Sequence, residues 1–457
     1  MRNKYLYITL LSFVGIHGSC FALHVEKVPR LVVSIHVDQL STSQLESYAP
    51  LYTSEGLKCL LNQGVVFTNG ACNFTPVDVA AASAAMSTGT APYYNGIIGS
   101  EWLNKTTLRP QSSLLDAQFE LSPQLLATST LGDELKIATD GLSKVFSFAP
   151  TAESAVLLAG HAADGAAWIS NGAWGTTSYY APLNQWLNGY TELNPPVADV
   201  NSSVAEAAIS CIEQSGIGID EHPDLLYVTL TVQPTLESYV QLDHTISRLL
   251  SATTHRVPLE RTLFVLTGTG TVSEEPRDVR ERFRIPTGKF YINRTANLLN
   301  IYLGAIYGSE QYVEACFCNQ LFLNRQIAEK KNINFSDLLH RSQEFILQLS
   351  GVRNVYTANQ LVTSDSHLLE RVRNGFNIDR CGDLMIDILP GWELINEDTN
   401  TSVTACAATI PFPIIFYGAG TRAQRISTRV TTDRVAPTVA RTIRIRAPNA
   451  CQAEPLF

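Results

Sequence analysis

The feature that most constrains this chain is an apolar run that ends on an acid: Leu31-Val-Val-Ser-Ile-His-Val37, followed by Asp38-Gln39-Leu40. A short β-branched run bounded by polar residues is the pattern of a buried strand in a parallel sheet. Open α/β sheets place their ligands outside the carboxyl ends of such strands. A carboxylate there is a natural ligand for a divalent metal, so Asp38 is the first candidate site residue.

At 457 residues the chain could hold two or three domains, or one large α/β core with an insertion. With 45% hydrophobic and 16% charged residues it reads as globular rather than disordered. A formal charge of −9 speaks against a dedicated nucleic-acid binder, which needs a basic surface.

The first residues have the grammar of an export signal. Arg2 and Lys4 are basic, Tyr5 to Ile16 is mostly apolar, and Cys20-Phe21-Ala22 supplies small residues at a cleavage site. Lipidation of Cys20 would suit His17 poorly. No later run reaches the ~18 apolar residues of a membrane span. Residues 1–22 are therefore read as a signal peptide, and the mature chain as a soluble periplasmic protein. Its remaining cysteines are Cys59, Cys72, Cys211, Cys316, Cys318, Cys381, Cys406 and Cys451, an even set in an oxidising compartment whose pairing the sequence does not settle. Cys316-Phe-Cys318 has no second pair to complete a zinc site, and both thiols are expected to be buried and structural.

Ser41 and Gln44 have capping-box spacing, with a helical pattern over Gly56–Gln63 and a strand at Val65–Thr68. Val77 to Met86 is Ala-rich and helical. Two short apolar runs follow, Val145–Phe148 and Ala155–Leu158. Leu225–Leu230 and Thr262–Leu266 flank a helix with Leu242, Ile246, Leu249 and Leu250 on one face, a β-α-β unit that implies a parallel sheet. Pro413–Tyr417 reads as another strand and Ala436–Ile443 as the last helix. From about 284 to 392 strand and helix patterns alternate differently. One helix is expected to be capped by Asn293 and ended by Gly308, and Gly382–Ile388 closes the block as a strand. The expected division is a core over 23–283 and 393–457, interrupted by an α+β insertion over 284–392.

Several stretches together carry a resemblance. They are Val33-Ser-Ile-His-Val-Asp-Gln-Leu40, Ser87-Thr-Gly-Thr-Ala-Pro92 with Asn95-Gly-Ile-Ile-Gly99, Leu131-Gly-Asp-Glu-Leu-Lys136 and Ala159-Gly-His-Ala-Ala-Asp-Gly165. Ser350-Gly-Val-Arg-Asn-Val-Tyr356, Gly382-Asp-Leu384, Pro390-Gly-Trp392 and Pro413-Ile-Ile-Phe-Tyr-Gly418 continue the series. In this order the chain resembles the alkaline phosphatase superfamily, most of all its exported single-chain phosphatases and phosphodiesterases of Bacteroidetes-type bacteria. The resemblance implies a doubly wound, mostly parallel sheet flanked by helices. It also implies two zinc ions beside a Thr or Ser nucleophile, clamping an in-line displacement at phosphorus.

Each implied ligand position can be checked. Asp38 matches the first aspartate. Counting nine residues back from Thr88-Gly89, where the family has its nucleophile, reaches Val79, and the imidazole position four residues on becomes Ser83. Val232-Gln-Pro-Thr-Leu-Glu-Ser238 offers no Asp-x-x-x-His pair after the strand ending near Thr231. Thr267-Gly-Thr-Gly-Thr271 stands where the family has Thr-x-Asp-His-Gly, the last His position falls at Pro411, and a Lys-x-Arg pair becomes Thr151 and Glu153. One of six ligand positions is filled, and a lone Asp cannot hold zinc, which takes about four ligands.

The remaining candidates read as structural. Thr75 and Ser83 lie near the nucleophile slot, but without a base or a metal their hydroxyls stay un-ionised, and Thr75 suits a helix cap. His161 and Asp164 are expected to share a structural hydrogen bond. Asp243-His244 diverge on one helix, and His36 is a packed sheet residue. Asp38 itself is expected to cap the neighbouring helix or bind a loop amide once no metal claims it. Gly268-Thr-Gly270 lacks the rest of a phosphate loop. The arginines from Arg422 to Arg446 are expected on a solvated helix face or in structural contacts. The expected function is that of a catalytically degenerate member with no catalytic residues and no cofactor, binding an envelope protein or a small phosphorylated ligand. The rival is an active zinc-dependent phosphoesterase with rearranged ligands.

The amino-terminal grammar predicts cleavage after Ala22, so N-terminal sequencing of envelope-fraction protein should begin at Leu23. A chain beginning at Met1, or lipid on Cys20, contradicts it.

Overall fold

The computed structural model describes residues 28–180, 185–197, 199–271, 284, 286–405 and 410–457. The expected leader, Cys20 and Cys406 lie outside these residues.

The core is a ten-stranded sheet. Its strands in chain order are β1 (Leu31–Asp38), β2 (Val65–Ala71), β3 (Val145–Ala149), β4 (Gly165–Ser170), β5 (Ala173–Thr176), β6 (Asp224–Thr231), β7 (Thr262–Gly268), β8 (Phe412–Gly418), β9 (Gln424–Ile426) and β10 (Val430–Thr431). The spatial order is β9-β2-β8-β7-β1-β6-β3-β4-β5, with β10 beside β2. Pairing is parallel from β7 through β1, β6 and β3 to β4, while β8 runs antiparallel to both of its neighbours. All eight residues of β1 are buried, as expected of a strand covered on both faces.

Helices cover both faces. Leu31, Val33, Ile35 and Val37 point into one layer, packed by Leu57, Leu60, Val204, Ile212, Leu242, Ile246 and Leu249. Val32 points into the other, made by the Ala-rich helix Val79–Thr88 with Leu131, Leu135, Val156, Leu157, Val435 and Val439. The run Ala155–Leu158 belongs to a helix, Ala152–Ala159, and not to a strand as Val145–Ala149 does. Small side chains on this helix and on Val79–Thr88 let the two pack closely against each other.

Three expected caps are made differently. The Tyr239 hydroxyl accepts from the Ser41 amide and donates to Gln44 Oε1, both at 3.1 Å, so the Ser41–Gln44 pair is bridged by a third residue and forms no capping box. Asp78, not Thr75, caps Val79–Thr88. Tyr291 stands at the cap of Ile292–Tyr307, while Asn293 binds Asp398 and the Glu397 amide across the fold.

The region after Arg284 has its own core around Ile292, Leu299, Leu303, Leu338, Ile346 and Ile386. Val313–Phe317, Gln320–Leu323, Leu384–Ile388 and Val352–Thr357 form an antiparallel sheet in that order. A second sheet joins Lys289–Tyr291 to Glu393–Asn396 and Thr401–Thr404, carrying this region's pairing past Trp392. Cys318, expected to be buried, is exposed at the turn following Val313–Phe317, where its φ of 49° marks a left-handed position. The seven cysteines among the described residues are unpaired.

One arginine fastens this region to the core. Arg380 donates to Gly96 O at 2.5 Å and Leu125 O at 2.7 Å, with its guanidinium 4.6 Å from the centre of the Trp102 ring. Gly96 has φ 83°, and a Cβ there would meet the Arg380 guanidinium at 2.8 Å. Arg380→Ala should destabilise the protein by roughly 2–4 kcal/mol in chemical denaturation, because two carbonyls lose a charged partner and the ring loses its cation. Arg380→Lys should recover less than half, since an ammonium cannot bridge both carbonyls as a planar fork does.

Candidate functional site

Asp38 is delivered to the carboxyl edge by the central strand. Pairing continues past the strand ends: Val232 N donates to Asp38 O at 3.1 Å, and Thr269 N to Val37 O at 3.3 Å. This brings the Thr269 hydroxyl within 2.7 Å of Asp38 Oδ1, with the Thr271 hydroxyl 3.5 Å from the same oxygen and 2.8 Å from Thr269 Oγ1. Burial pushes the Asp38 carboxyl above its ordinary range, and the two threonine bonds offset this only in part. Gln39, next along, sits in the left-handed region at φ 63°. Gly270 packs so tightly that a Cβ would lie 2.8 Å from Cys72 Sγ and 3.0 Å from the Phe412 ring. Asp38 therefore accepts side-chain hydroxyls, where a helix cap or a loop amide was expected.

The nucleophile slot is apolar. Val79 begins the Ala-rich helix, and the Asp78 carboxylate in front of it is fully engaged. Oδ1 accepts from Ala81 N at 3.0 Å, and Oδ2 accepts from the Ser100 amide at 2.9 Å and the Ser100 hydroxyl at 2.7 Å. A helix amino terminus favours phosphate through its free amides; here a carboxylate of the chain already stands there. Ser83 Oγ is buried and faces Ser154 Oγ at 3.3 Å. Thr75 contributes its amide to Arg371 O.

The edge beyond β6 is short. Four residues, Val232 to Thr235, join Thr231 to the helix Leu236–Arg256, and Thr235 Oγ1 caps that helix by accepting from Ser238 N at 3.3 Å. Thr151 likewise caps Ala152–Ala159, and Pro411 offers its carbonyl to Thr42 N. Among the described residues no three His, Cys, Asp or Glu side chains are grouped to hold a metal ion. One carboxylate with two neutral hydroxyls is not a donor set for zinc, which takes thiolate, imidazole and carboxylate. The described residues do not fit that ion.

The other candidates are structural, with one changed partner. His161 pairs with Asp133, not Asp164: Nδ1 lies 2.8 Å from Asp133 Oδ2, and Nε2 lies 3.1 Å from Leu126 O. Asp164 binds Lys136 at 2.7 Å and the Val145 amide at 2.7 Å. The motifs Leu131–Lys136 and Gly160–Gly165 thus interlock as two ion pairs, a signal present in their joint occurrence. Asp243 is buried and accepts from the Thr53 and Leu57 amides at 2.7 Å each, while His244 faces outward. Arg434 holds the Glu454 and Pro455 carbonyls, Arg425 pairs with Glu46 and Arg446 with Glu134. His36 is packed as expected, between Ser34 Oγ at 2.9 Å and Met86 Sδ at 2.7 Å.

Residues 32–410 match the family model for type I phosphodiesterase / nucleotide pyrophosphatase. The chain belongs to this family, and with it to the alkaline phosphatase superfamily. It is 23% identical over 518 aligned positions to a calcium-transporting ATPase of Myroides odoratus, covering 94% of each chain. It is 21% identical over 535 positions to the alkaline phosphatase PafA of Elizabethkingia meningoseptica, covering 98% of each. The crystal structure of wild-type PafA superposes with a TM-score of 0.82 at 21% identity, over 94% of this chain and 98% of that one. Both alignments are longer than the 457 residues of this chain, so they contain positions where the relatives have residues and it has none. The doubly wound fold implied by the resemblance is the fold observed.

Burial lowers His36 to about 3, so the ring is neutral in the folded protein. The unfolded value is about 6.5, so the stability gained from a neutral His36 is complete above that pH and is lost as pH falls toward 3. Denaturation between pH 6.5 and 4 should show a steeper loss of stability for the native protein than for His36→Gln, by up to about 1.4 kcal/mol per pH unit.

Proposed function

We propose that this phosphoesterase-family chain has given up metal-dependent displacement and serves as an exported, periplasmic binding protein for an envelope protein or a small phosphorylated ligand. The observation that carries the reading is the Asp38 carboxylate held by Thr269 and Thr271, in a setting where its family's chemistry needs acids and imidazoles. Three further features support it. Val79 has no atom that can attack phosphorus. Asp78 fills the helix terminus that would meet a phosphoryl oxygen. The segment Val232 to Ser238 after the strand ending at Thr231 carries neither the Asp nor the His of an Asp-x-x-x-His pair.

The hydroxyls that remain are not activated. Thr269 and Thr271 donate toward the Asp38 carboxylate, and among the described residues no imidazole stands beside either to take its proton. The scaffold is kept because its core is independent of the edge loops, and an edge without catalytic groups can still present a binding surface.

Purified chain dialysed against buffer should hold well under one equivalent of zinc by elemental analysis. Phosphomonoesters and phosphodiesters should hydrolyse at background rate, with Asp38→Ala changing stability and not rate. Two tightly bound zinc ions, or a hydrolysis that Asp38→Ala abolishes, establishes the rival reading of an active metal-dependent phosphoesterase. Glu274 and Glu275, which follow Thr271 in sequence, would then be the next residues to replace.

A further inference from the structure

Segment Pro123–Thr130 has no regular secondary structure, yet besides the helix that follows it, which takes Ser129 Oγ at Glu134 and Thr130 N at Asp133, four parts of the molecule distant in sequence hold it. Arg380 of the inserted region grips Leu125 O, Asn95 O accepts from Ala127 N at 2.9 Å, and His161 Nε2 faces Leu126 O at 3.1 Å. Asn449 of the carboxyl-terminal tail completes the set. Its Oδ1 accepts from Ser129 N at 3.1 Å, and its amide donates to Ser129 Oγ at 2.9 Å. Of these four grips, only His161 can change its protonation near neutral pH.

Both nitrogens of His161 face acceptors: Nδ1 a carboxylate oxygen, Nε2 a carbonyl oxygen. A neutral imidazole has one N–H, so it can satisfy only one of them; the imidazolium satisfies both. We propose that His161 is a proton-operated clasp, which as an imidazolium holds Leu126 and on losing its Nε2 proton releases the Leu126–Ser129 segment from the core. The proton leaves from Nε2 because the charge-assisted bond to Asp133 is the stronger of the two. An Nε2 lone pair then points at a carbonyl lone pair, and the bond becomes a repulsion.

The surroundings favour this. Burial alone would lower His161, but the bond to Asp133, that carboxylate's charge, and the carbonyls of Leu126 and Pro123 outweigh it and raise the imidazole above its ordinary value. Burial alone would raise Asp133, and the His161 bond with the Thr130 and Ala162 amides brings it below the usual carboxylate range. The other charged groups nearby are already committed. On the helix Leu131–Ala138, Lys136 pairs with Asp164 and Glu134 with Arg446. On the short helical turn Ser178–Tyr180, Tyr179 is held un-ionised by burial and by the charges of Asp133 and Asp116. A shallow surface groove of about 330 Å³ lined by Leu126, Ser129, Asp133, Ile137 and His161 adjoins the segment.

The sign follows from the raised value. The clasp is complete below about pH 6.5 and is lost as pH rises through the higher folded value. Hydrogen exchange of the peptide spanning Leu126 to Thr130, read by mass spectrometry on the whole chain and corrected for intrinsic rates, should accelerate about tenfold between pH 6 and pH 9. His161→Gln, whose neutral amide donates to Leu126 O at every pH, should flatten that dependence. NMR of the unaltered protein should show His161 titrating above 6.5 and holding protons on both nitrogens below its midpoint. The clasp is overturned by a His161 that titrates at or below 6.5, by an exchange profile that is flat with pH, or by a pH dependence that survives His161→Gln.

Discussion

The structure is organised by one constraint, the burial of a carboxylate at the end of a fully buried central strand. β1 has neighbours on both edges and helices on both faces, so Asp38 cannot turn to water without leaving the register that pairs it with Thr231. A buried carboxylate needs a cation or hydrogen-bond donors. In this chain the donors are hydroxyls, from a loop that continues the backbone pairing of β7 and so arrives at Asp38 without any special positioning. The rest of the edge is consistent with that choice. The Asp78 carboxylate accepts from two amides and the Ser100 hydroxyl, and the link beyond β6 is a short one that ends on the helix cap Thr235.

This keeps the fold independent of the chemistry at its edge. Sheet and helix packing depend on apolar side chains inside the two layers, and none of those is a ligand position. On the proposed reading, Thr269 and Gly270 in place of an acid and an imidazole leave less charge in a corner where unshielded carboxylates would repel. The replacement is therefore compatible with stability on its own terms. The Ala-rich helix carries Val79 at its first position, with the side chain free of the hydrogen-bond ladder.

The sheet was legible because its signal is periodic and local. β1, β6 and β7, the helix between the last two, and the amphipathic helices of the inserted region follow directly from apolar spacing. What escaped the sequence were contacts set by tertiary neighbours. Tyr239 lies 198 residues from Ser41 and takes over its expected cap; no local pattern points to it. His161 was paired by proximity with Asp164, three residues on, while its partner Asp133 lies 28 residues back. The exposure of Cys318 depends on the turn that carries it, which apolar spacing does not reveal. At the site, the residues standing where the resemblance expects acids and imidazoles are visible in the sequence, but the hydroxyl pair on Asp38 is visible only once β7 is laid against β1.

The two histidines show why identical residues in one core can act in opposite senses. His36 faces a hydroxyl and a thioether, groups that cannot stabilise a charge, so burial decides and the ring stays neutral. His161 is also largely enclosed, but it meets a carboxylate on one nitrogen and a carbonyl on the other, and the partners outweigh the burial. Acid therefore strains the sheet through His36, and base loosens the Leu126 segment through His161. The protein is stiffest between those limits, with the inserted region, the core and the carboxyl-terminal tail all tied to one short segment. Any surface that spans these three parts has a shape that depends on that tie, so a partner reading the surface would sense pH without any chemistry at the sheet edge.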